Sequence, residues 1–509
     1  MRDGWWGIRM AESKNSLLSP KPGIQKDGTL FSSRSWTEGQ WVRFQRGLPR
    51  KIGGYQQIVN NIANIPRKIF IVPNSPNFNV YVADYHNLRF FVMNASGIAI
   101  SGFIDRTPVG FAFNFNNNWK LDTMFSTVAN SSILIAHAAQ NLASIDNPIE
   151  TPIYYGNAIG TDVLTSTNNY VSGGFVVLHP YLFMFSNDGD VRWTEPNNPT
   201  TILGSARVCG SKIVAGFSSR GGNASPAGLL WALDSVIRIT QVSLGGEPEF
   251  KFDTLTDESS ILSSNSIVEY DGYYYWIGLD RFYVYNGSVQ KLPNDMNLNF
   301  FFDNLNYQQR QKVWATKVPR FDEIWWHYPS KNSTECDSVI IYNVTDGSWN
   351  NSLSDRGAGY FNQIFTKPIW SDSPNAGPYS IWMHETGVNQ VNLDGSVDPI
   401  DSHIISPFFS NCAVNFDGQF VGVDRNISLD KLEPDFIQTG NMTLTVISKS
   451  YANDVARFSA PITFTKDTKK IDLHIQGREI FFTFECSEVD SNFEMGQVII
   501  THQPGDGRP

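Results

Sequence analysis

The stretch Ser266–Leu292, SIVEYDGYYYWIGLDRFYVYNGSVQKL, consists of four short segments of β-branched and aromatic residues. Turn signals separate the segments at Asp-Gly 271–272, Leu-Asp 279–280 and Asn-Gly 286–287. Asp-Gly and Asn-Gly supply the positive φ that tight hairpin turns require. The stretch therefore predicts a four-stranded antiparallel meander, which resembles one blade of a β-propeller.

Weaker hairpin units recur along the chain at intervals of roughly 40 to 60 residues, a spacing at which propeller arrays are suspected. The candidate units are Phe78–Asn94, Ser131–Asp146, Phe175–Trp193, Ser211–Thr240, Ser266–Leu292, Phe321–Asn350 and Tyr379–Gly395. A single meander has apolar residues on both faces, and stacking the blades radially would cover each face with its neighbour. We expect an all-β fold built on a propeller of about six to eight blades. A two-sheet sandwich array, which uses the same strands and turns, is the alternative.

Three regions are expected. Residues 1–60 are rich in Gly, Pro, Ser and Trp and predict an irregular N-terminal docking arm. Residues 61–400 form the propeller, interrupted at Pro293–Ala315 by helix-like spacing of apolar residues, which predicts a short helix or two. Residues 401–509 lose the blade spacing but still alternate as strands, which predicts a small C-terminal β-sandwich-like domain.

The composition narrows the class of function. The 509 residues carry a net charge of -10, which argues against a generic nucleic-acid binder but suits a channel in which DNA must slide without sticking. Neither a signal peptide nor an apolar segment of membrane-spanning length is present in the sequence. We expect synthesis in a cytoplasm and no membrane anchor.

The sequence offers no recognisable catalytic, cofactor-binding or metal-binding motif. The eight histidines do not occur at metal-ligand spacing, and the four cysteines are read as free thiols. A glycosidase would need a pair of facing carboxylates, and acidic residues such as Glu195, Asp257, Glu258 and Asp280 are interpreted as solvated loop acids. We therefore expect no enzyme activity and no cofactor.

Basic and aromatic residues concentrate early in the chain. They could contact nucleic acid, but Trp and Arg are also enriched at protein-interface hot spots, which favours a protein-docking role. The candidate interface residues are Trp41, Arg43, Phe44, Arg46, Arg50 and Lys51. From this reading, deletion of Met1–Gly39 should block assembly without unfolding the rest of the chain.

Several phrases occur in an order that resembles the tail hub or nozzle proteins of short-tailed bacteriophages, also described as packaged-DNA stabilisation proteins. The first phrase is WVRF at 41–44, followed by G, P and KIGGY ending at Tyr55. The run at 266–287 is similar to a blade of that family, and WWHYPS at 325–330 with IYNVTDGSW at 341–349 is similar to its next blade. Near the end, Gly477-Arg478 and Phe493–Gly496 resemble the family's closing pattern.

The resemblance implies a structural virion protein located in the phage tail. It implies a homo-oligomer, a hexameric ring, below the portal and the head-to-tail adaptor protein. This ring would extend the DNA channel, retain packaged DNA without recognising its sequence, and anchor needle, plug or fibre proteins. The alternative is a propeller of the host-attachment apparatus that binds or cleaves surface polysaccharide.

Overall fold

The regular structure of this chain is almost entirely β. The computed structural model describes residues 13–29, 32–115, 117–139, 149–219, 226–244, 247–362, 364–374, 377–410, 413–414, 420–421 and 425–505. Among them, the α-helix is Leu298–Asn304 and the 3-10 helices are Asn187–Gly189, Tyr307–Lys312 and Pro319–Phe321. No helix in these ranges has both the length and the apolar character needed to cross a membrane. The expected all-β class is confirmed.

The meander predicted from the central stretch is confirmed. Its strands are Val268–Tyr270, Tyr273–Ile277, Phe282–Tyr285 and Val289–Leu292, each paired antiparallel with the next. The φ angles at residues 271 and 272 are 52° and 84°, so the Asp-Gly turn adopts the positive values that its sequence favours. This meander is the fifth blade of a propeller.

Five further blades each contain four consecutive antiparallel strands. The first blade contains Pro66–Asn74, Asn77–Asp84, Leu88–Met93 and Ile104–Asp105, and the second contains Asn118–Ser126, Ser131–Ala139, Thr151–Asn157 and Thr165–Val171. The third contains Gly174–Leu178, Tyr181–Phe185, Asp190–Thr194 and Ile202–Arg207, and the fourth contains Ile213–Ser218, Ala227–Ala232, Val236–Leu244 and Glu247–Thr256. The sixth contains Trp314–Val318, Glu323–Tyr328, Ser338–Asn343 and Trp349–Leu353. The helical segment predicted within Pro293–Ala315 is confirmed and connects the fifth blade to the sixth.

The seventh blade closes the ring with a strand from the other end of the chain. Its first three strands are Arg356–Asn362, Phe365–Asp372 and Tyr379–His384. Its outer strand is Tyr55–Ile62, which precedes the first blade in sequence and pairs antiparallel with Tyr379–His384. Two short strands, Gln390–Val391 and Val397–Asp398, extend this sheet. A propeller of seven blades therefore agrees with the expected range.

Apolar packing between the blades holds the ring together. Seven clusters of buried apolar residues each lie between two neighbouring blades, so every blade face is covered. The cluster between the fourth and fifth blades, for example, brings Trp231 against Trp276, with their ring centroids 5.6 Å apart. Stacking the blades around one axis therefore buries the apolar side chains on both faces of each blade, as the sequence predicted.

The remaining strands form a β-sandwich beside the propeller. In the first sheet the strand order is Lys14–Leu18, Val498–Pro504, Ile427–Glu433 and Ile471–Gly477. In the second it is Glu38–Gln40, Ser402–Ile405, Glu479–Cys486, Met442–Lys449 and Arg457–Phe458, and Ile462–Phe464 also pairs with Met442–Lys449. In the third it is Phe436–Thr439, Asn492–Met495, Leu48–Lys51 and Val42–Gln45. Two short pairs complete the fold: Lys21–Ile24 with Ser35–Trp36, and Ala413–Val414 with Phe420–Val421.

The irregular arm expected over residues 1–60 is not what the described part of that segment forms. Its short strands enter all three sandwich sheets, and its last strand closes the propeller. Ile24, Trp36 and Phe44 are buried in the same cluster as residues from the C-terminal strands. No local pattern indicated this, because the strands are short and Lys14–Leu18, Glu38–Gln40 and Leu48–Lys51 pair with partners hundreds of residues away. The sandwich is thus built from both ends of the chain.

Candidate functional site: the propeller–sandwich junction

The six candidate interface residues lie on or beside one hairpin at the junction between the sandwich and the propeller. Its strands are Val42–Gln45 and Leu48–Lys51, joined by Arg46-Gly47 with φ angles of 56° and 78°. Positive φ at both central positions is the conformation of a two-residue hairpin turn, and glycine adopts it without steric cost. The hairpin belongs to the third sandwich sheet and also reaches the sixth and seventh blades.

Trp41 is buried where the chain passes from the sandwich strand Glu38–Gln40 into the hairpin. Its backbone N–H donates to Ser352 Oγ at 3.0 Å, and its indole Nε1–H donates to Gly53 O at 3.2 Å. The ring packs edge-on against Tyr55 and Trp325, at centroid distances of 5.8 and 6.2 Å. Its φ of 54° is rare for a bulky residue, so the surrounding contacts must hold the backbone there.

Arg43 is the charged centre of the junction. Its guanidinium donates to both carboxylate oxygens of Glu323, at 3.1 and 3.0 Å, and to both of Glu385, at 3.1 and 2.5 Å. The ring of Phe321 lies 3.6 Å from the guanidinium carbon, in cation–π geometry. Since Glu323 begins a strand of the sixth blade and Glu385 follows a strand of the seventh, Arg43 ties the sandwich to two blades.

Two carboxylates share one guanidinium in this buried cluster. Burial raises the pKa of Glu323 to about 7, and the charge of Glu385 acts in the same direction, whereas the Arg43 charge and a hydrogen bond from Trp325 Nε1–H oppose the rise. The pKa of Arg43 lies above its ordinary value; burial acts to lower it, but Glu323 and Glu385 together outweigh that effect. The cluster is thus poised to take up a proton on Glu323 near neutral pH.

A pH dependence of stability follows. Because the folded-state pKa of Glu323 lies above its ordinary 4.5, the folded chain binds more protons than the unfolded chain between about pH 4.5 and pH 7. The stability contributed by this group is therefore present below that window and is lost as the pH rises through it, by about 3 kcal/mol. The substitution Glu323→Gln should remove this pH-dependent contribution. In urea unfolding, the stability of the variant relative to the native chain should therefore be higher at pH 8 than at pH 5.

Glu335 supplies the matched control. Burial acts to raise the pKa of Glu335, but hydrogen bonds and charges from Arg67 and Lys312 outweigh it and hold the pKa below its ordinary value. Its stabilising contribution is therefore lost only as the pH falls below about 4.5. Glu335→Gln should lower stability at pH 5 and pH 8 nearly equally. An equal effect of Glu323→Gln at the two pH values would contradict the raised pKa.

The other candidates divide into internal and surface residues. Phe44 lies in the sandwich core. Lys51 is buried, its Nζ donates to Ser491 O at 2.9 Å, and burial lowers its pKa. Arg50 is partly exposed and donates to Gln45 Oε1 at 2.8 Å, and Arg46 is exposed.

Four of the six candidates are therefore internal. Trp41, Arg43, Phe44 and Lys51 stabilise the junction and are not available to another protein. The composition of the segment was interpreted as a docking surface for another protein, whereas these four residues pack against other parts of the same chain. Reasoning from the sequence missed Glu323 and Glu385; the only signal for Glu323 is an acid that opens the otherwise apolar strand EIWWHY.

Cavities at the junction and along the propeller axis are small. One of about 200 Å³ lies beside Arg43, Arg50, Arg320 and Phe321. The axial cavity has a volume of about 290 Å³ and is lined mainly by the first strands of the blades. A water molecule occupies about 30 Å³ of liquid, so the axial cavity has room for about ten.

Hydrogen bonds between side chains connect blades that are not adjacent in the ring. Asn265 Nδ2, just before the fifth blade, donates to Asn118 Oδ1 of the second blade at 2.8 Å. Arg67 of the first blade makes two hydrogen bonds, at 2.5 and 2.9 Å, to Glu335 in a loop of the sixth. Both contacts therefore join blades that are not neighbours in the ring.

The acidic residues that the sequence analysis considered lie at or near the protein surface. Asp257, Glu258 and Asp280 are exposed and Glu195 is partly exposed, which agrees with solvated loop acids. Cys209, Cys336 and Cys486 are free thiols, whereas Cys412 lies outside the described residues. Within the described ranges, no group of three or more His, Cys, Asp or Glu side chains is arranged to hold a metal ion.

No protein-family model matches this chain, and no curated protein matches it either. Among solved structures, the chain is similar to two crystal structures of BBS1N in complex with ARL6DN, one soaked with mercury and the other with lead. In each case the identity is 11%, and the alignment covers 65% of this chain and 97% of the other. The TM-scores are 0.41 and 0.39, and likeness at this level says nothing about what this chain binds.

Proposed function

We propose that this chain is a structural subunit of the tail of a short-tailed bacteriophage, where it forms the nozzle or hub. The observation that carries the proposal is the position of the family-like phrase at 41–55. That phrase forms the hairpin joining the sandwich to the propeller, and it continues into the strand Tyr55–Ile62 that closes the ring. The resemblance thus covers residues on which the whole architecture depends.

Steric contacts explain why glycine occupies position 54 near the end of the phrase. A Cβ on Gly54 would lie 2.3 Å from Asn389 O and 2.5 Å from Asn389 N, which are backbone atoms. A side chain on Gly54 is therefore excluded while the seventh blade keeps its present path. Together with the Arg43 cluster, this close approach makes the two domains a stiff unit. Such a unit suits a tail component that must hold packaged DNA.

The DNA path in this proposal lies between subunits. The axial cavity of one propeller has a volume of about 290 Å³, room for about ten water molecules, so a duplex cannot pass through it. A hexameric ring of copies would instead enclose the channel at its centre. The net charge of -10 suits this role, because an acidic lining repels the phosphate backbone and lets DNA slide.

The assembly has a defined place in the particle. The ring would bind the head-to-tail adaptor on one side and needle, plug or fibre proteins on the other, with no membrane anchor. The chain would be made in the host cytoplasm and would act in the virion tail without catalysis.

Imaging tests the proposal. In electron micrographs of particles from the phage that encodes the chain, antibodies against it should label the tail, and the purified protein should form rings. Particles that lack the chain would contradict the proposal. Release of reducing ends from host-surface polysaccharide by the purified protein would instead support the attachment-enzyme alternative.

A further inference from the structure

The blades opposite the sandwich expose an apolar surface. Val128, Tyr170, Ile202 and Leu203, here called the blade 2–3 rim, are between 38% and 75% exposed. Hydrogen bonds hold this surface together: Thr127 N–H donates to Asn197 O at 3.0 Å, and Asn169 Nδ2 donates to Thr200 O at 3.2 Å. The rim is therefore a continuous part of two adjacent blades. The strands Thr165–Val171 and Ile202–Arg207, which carry most of the rim, are the last strands of their sheets and therefore have unpaired backbone groups on one side.

A second apolar surface lies on the sandwich. Val455 is 82% exposed and Phe458 is 68% exposed. Phe458 belongs to the short strand Arg457–Phe458, and Val455 lies just before it. This strand pairs with Met442–Lys449 at the edge of the second sandwich sheet. The exposed basic residue Arg457 lies between them in sequence, and Val455, Arg457 and Phe458 are together called the sandwich edge.

The chain segments that carry the two surfaces have opposite net charges. Residues 150–207, which include most of the blade 2–3 rim, contain five acidic and two basic residues, a net charge of -3. Residues 449–478, which include the sandwich edge, contain three acidic and six basic residues, a net charge of +3. Complementary charge on two apolar surfaces favours their association and fixes which surface meets which.

The two surfaces cannot meet within one chain. In a ring of seven blades, the boundary between the second and third lies opposite the sixth. The sandwich is attached at the sixth blade, where Asn350 Nδ2 donates to Val42 O and Trp41 N–H donates to Ser352 Oγ, and at the adjacent seventh through Arg43 and Glu385. The rim and the edge therefore lie on opposite sides of the molecule. Two different surfaces placed in this way are what a head-to-tail contact between identical copies requires.

We propose that the blade 2–3 rim of one copy binds the sandwich edge of the next copy. This rests on the proposed function, because it assigns the surfaces that would close the tail ring. The contact is heterologous, so each copy contributes one rim and one edge, and repetition closes a ring when the rotation between copies divides a full turn.

The test uses two blocking substitutions in the full chain. Leu203→Asp blocks the rim, and Phe458→Asp blocks the edge. Each variant alone should be a monomer by light scattering at concentrations where the native chain assembles. An equal mixture should form dimers and nothing larger, because the intact edge of one variant can still bind the intact rim of the other.

Controls separate this contact from misfolding. Ile437→Asp, at a sandwich position that is 76% exposed on another sheet, should assemble like the native chain. Both blocking variants should melt at the same temperature as the native chain when all are diluted to a concentration at which the native chain is monomeric. If one does not, Ile202→Asp or Val455→Asp replaces it. High salt should weaken assembly, because it screens the charges at the contact.

Three outcomes would overturn the inference: assembly of both blocked variants, a mixture that stays monomeric, or a native chain that is monomeric at every concentration. Labelling of the tail in particles decides the proposed function separately. A labelled tail combined with variants that still assemble would leave the tail role standing and refute only these surfaces.

Discussion

Arg43→Ala is expected to lower the free energy of unfolding at pH 8 by about 3 to 5 kcal/mol, because removing one partner of a buried ion pair leaves an uncompensated charge. Here two carboxylates, Glu323 and Glu385, would lose the same guanidinium. The loss of packing against Phe321 adds to the effect. Urea unfolding followed by tryptophan fluorescence measures it, since Trp41 and Trp325 lie at the junction.

Arg46→Ala is the matched control, because Arg46 is the same residue type in the same hairpin but is exposed. Its effect should stay within about 0.5 kcal/mol. A second comparison separates charge from packing. Adding Glu323→Gln and Glu385→Gln to Arg43→Ala should recover part of the lost stability, because neutral amides cost less to bury. Equal stability of Arg43→Ala and Arg46→Ala would mean that the buried cluster contributes little.

Deletion of Met1–Gly39 is expected to unfold the sandwich. The sequence alone suggested that this deletion would leave the rest of the chain folded. In the structure it removes strands from two sandwich sheets and the buried side chains Leu18, Ile24 and Trp36. Each large buried side chain contributes about 2 to 5 kcal/mol, and a domain is stable by only about 5 to 15 kcal/mol.

Limited proteolysis with mass mapping checks this expectation. Cleavage should concentrate beyond residue 401, whereas the propeller retains its closing strand Tyr55–Ile62 and should be cut later. Leu17→Ala serves as a control on the same segment, because Leu17 is more than half exposed and should change stability little. A truncated chain whose C-terminal region resists protease like the native chain would contradict an integral role for this segment.

The sequence predicted the blades because their signals are local. Asp271-Gly272 and Asn286-Gly287 lie between apolar strands, and each turn determines the pairing of the strands beside it. The helical segment between the fifth and sixth blades was predicted for the same reason, since its apolar spacing is contained within a few residues. Patterns that are complete over about twenty residues can be read without knowing the tertiary structure.

The candidate site could be predicted only in part. The composition of residues 41–51 predicted contacts to another protein, but Trp and Arg also anchor buried contacts within one chain, and composition does not distinguish the two cases. The partners of Arg43 lie about 280 and 342 residues away in sequence, and no local pattern specifies such a pairing. Glu323 and Glu385 are distinguished from other acids only by being buried beside Arg43.

By itself the sequence determined that the chain is all-β, that its strands group into meanders and that the meanders need neighbours on both faces. Only the tertiary structure decided that there are seven blades, that Tyr55–Ile62 closes the ring and that the N-terminal strands belong to the sandwich. The physical reason is the range of the interactions. Turn conformation and alternation of apolar residues act between neighbours in sequence, whereas ring closure and the buried charge cluster depend on which distant segments reach the same place.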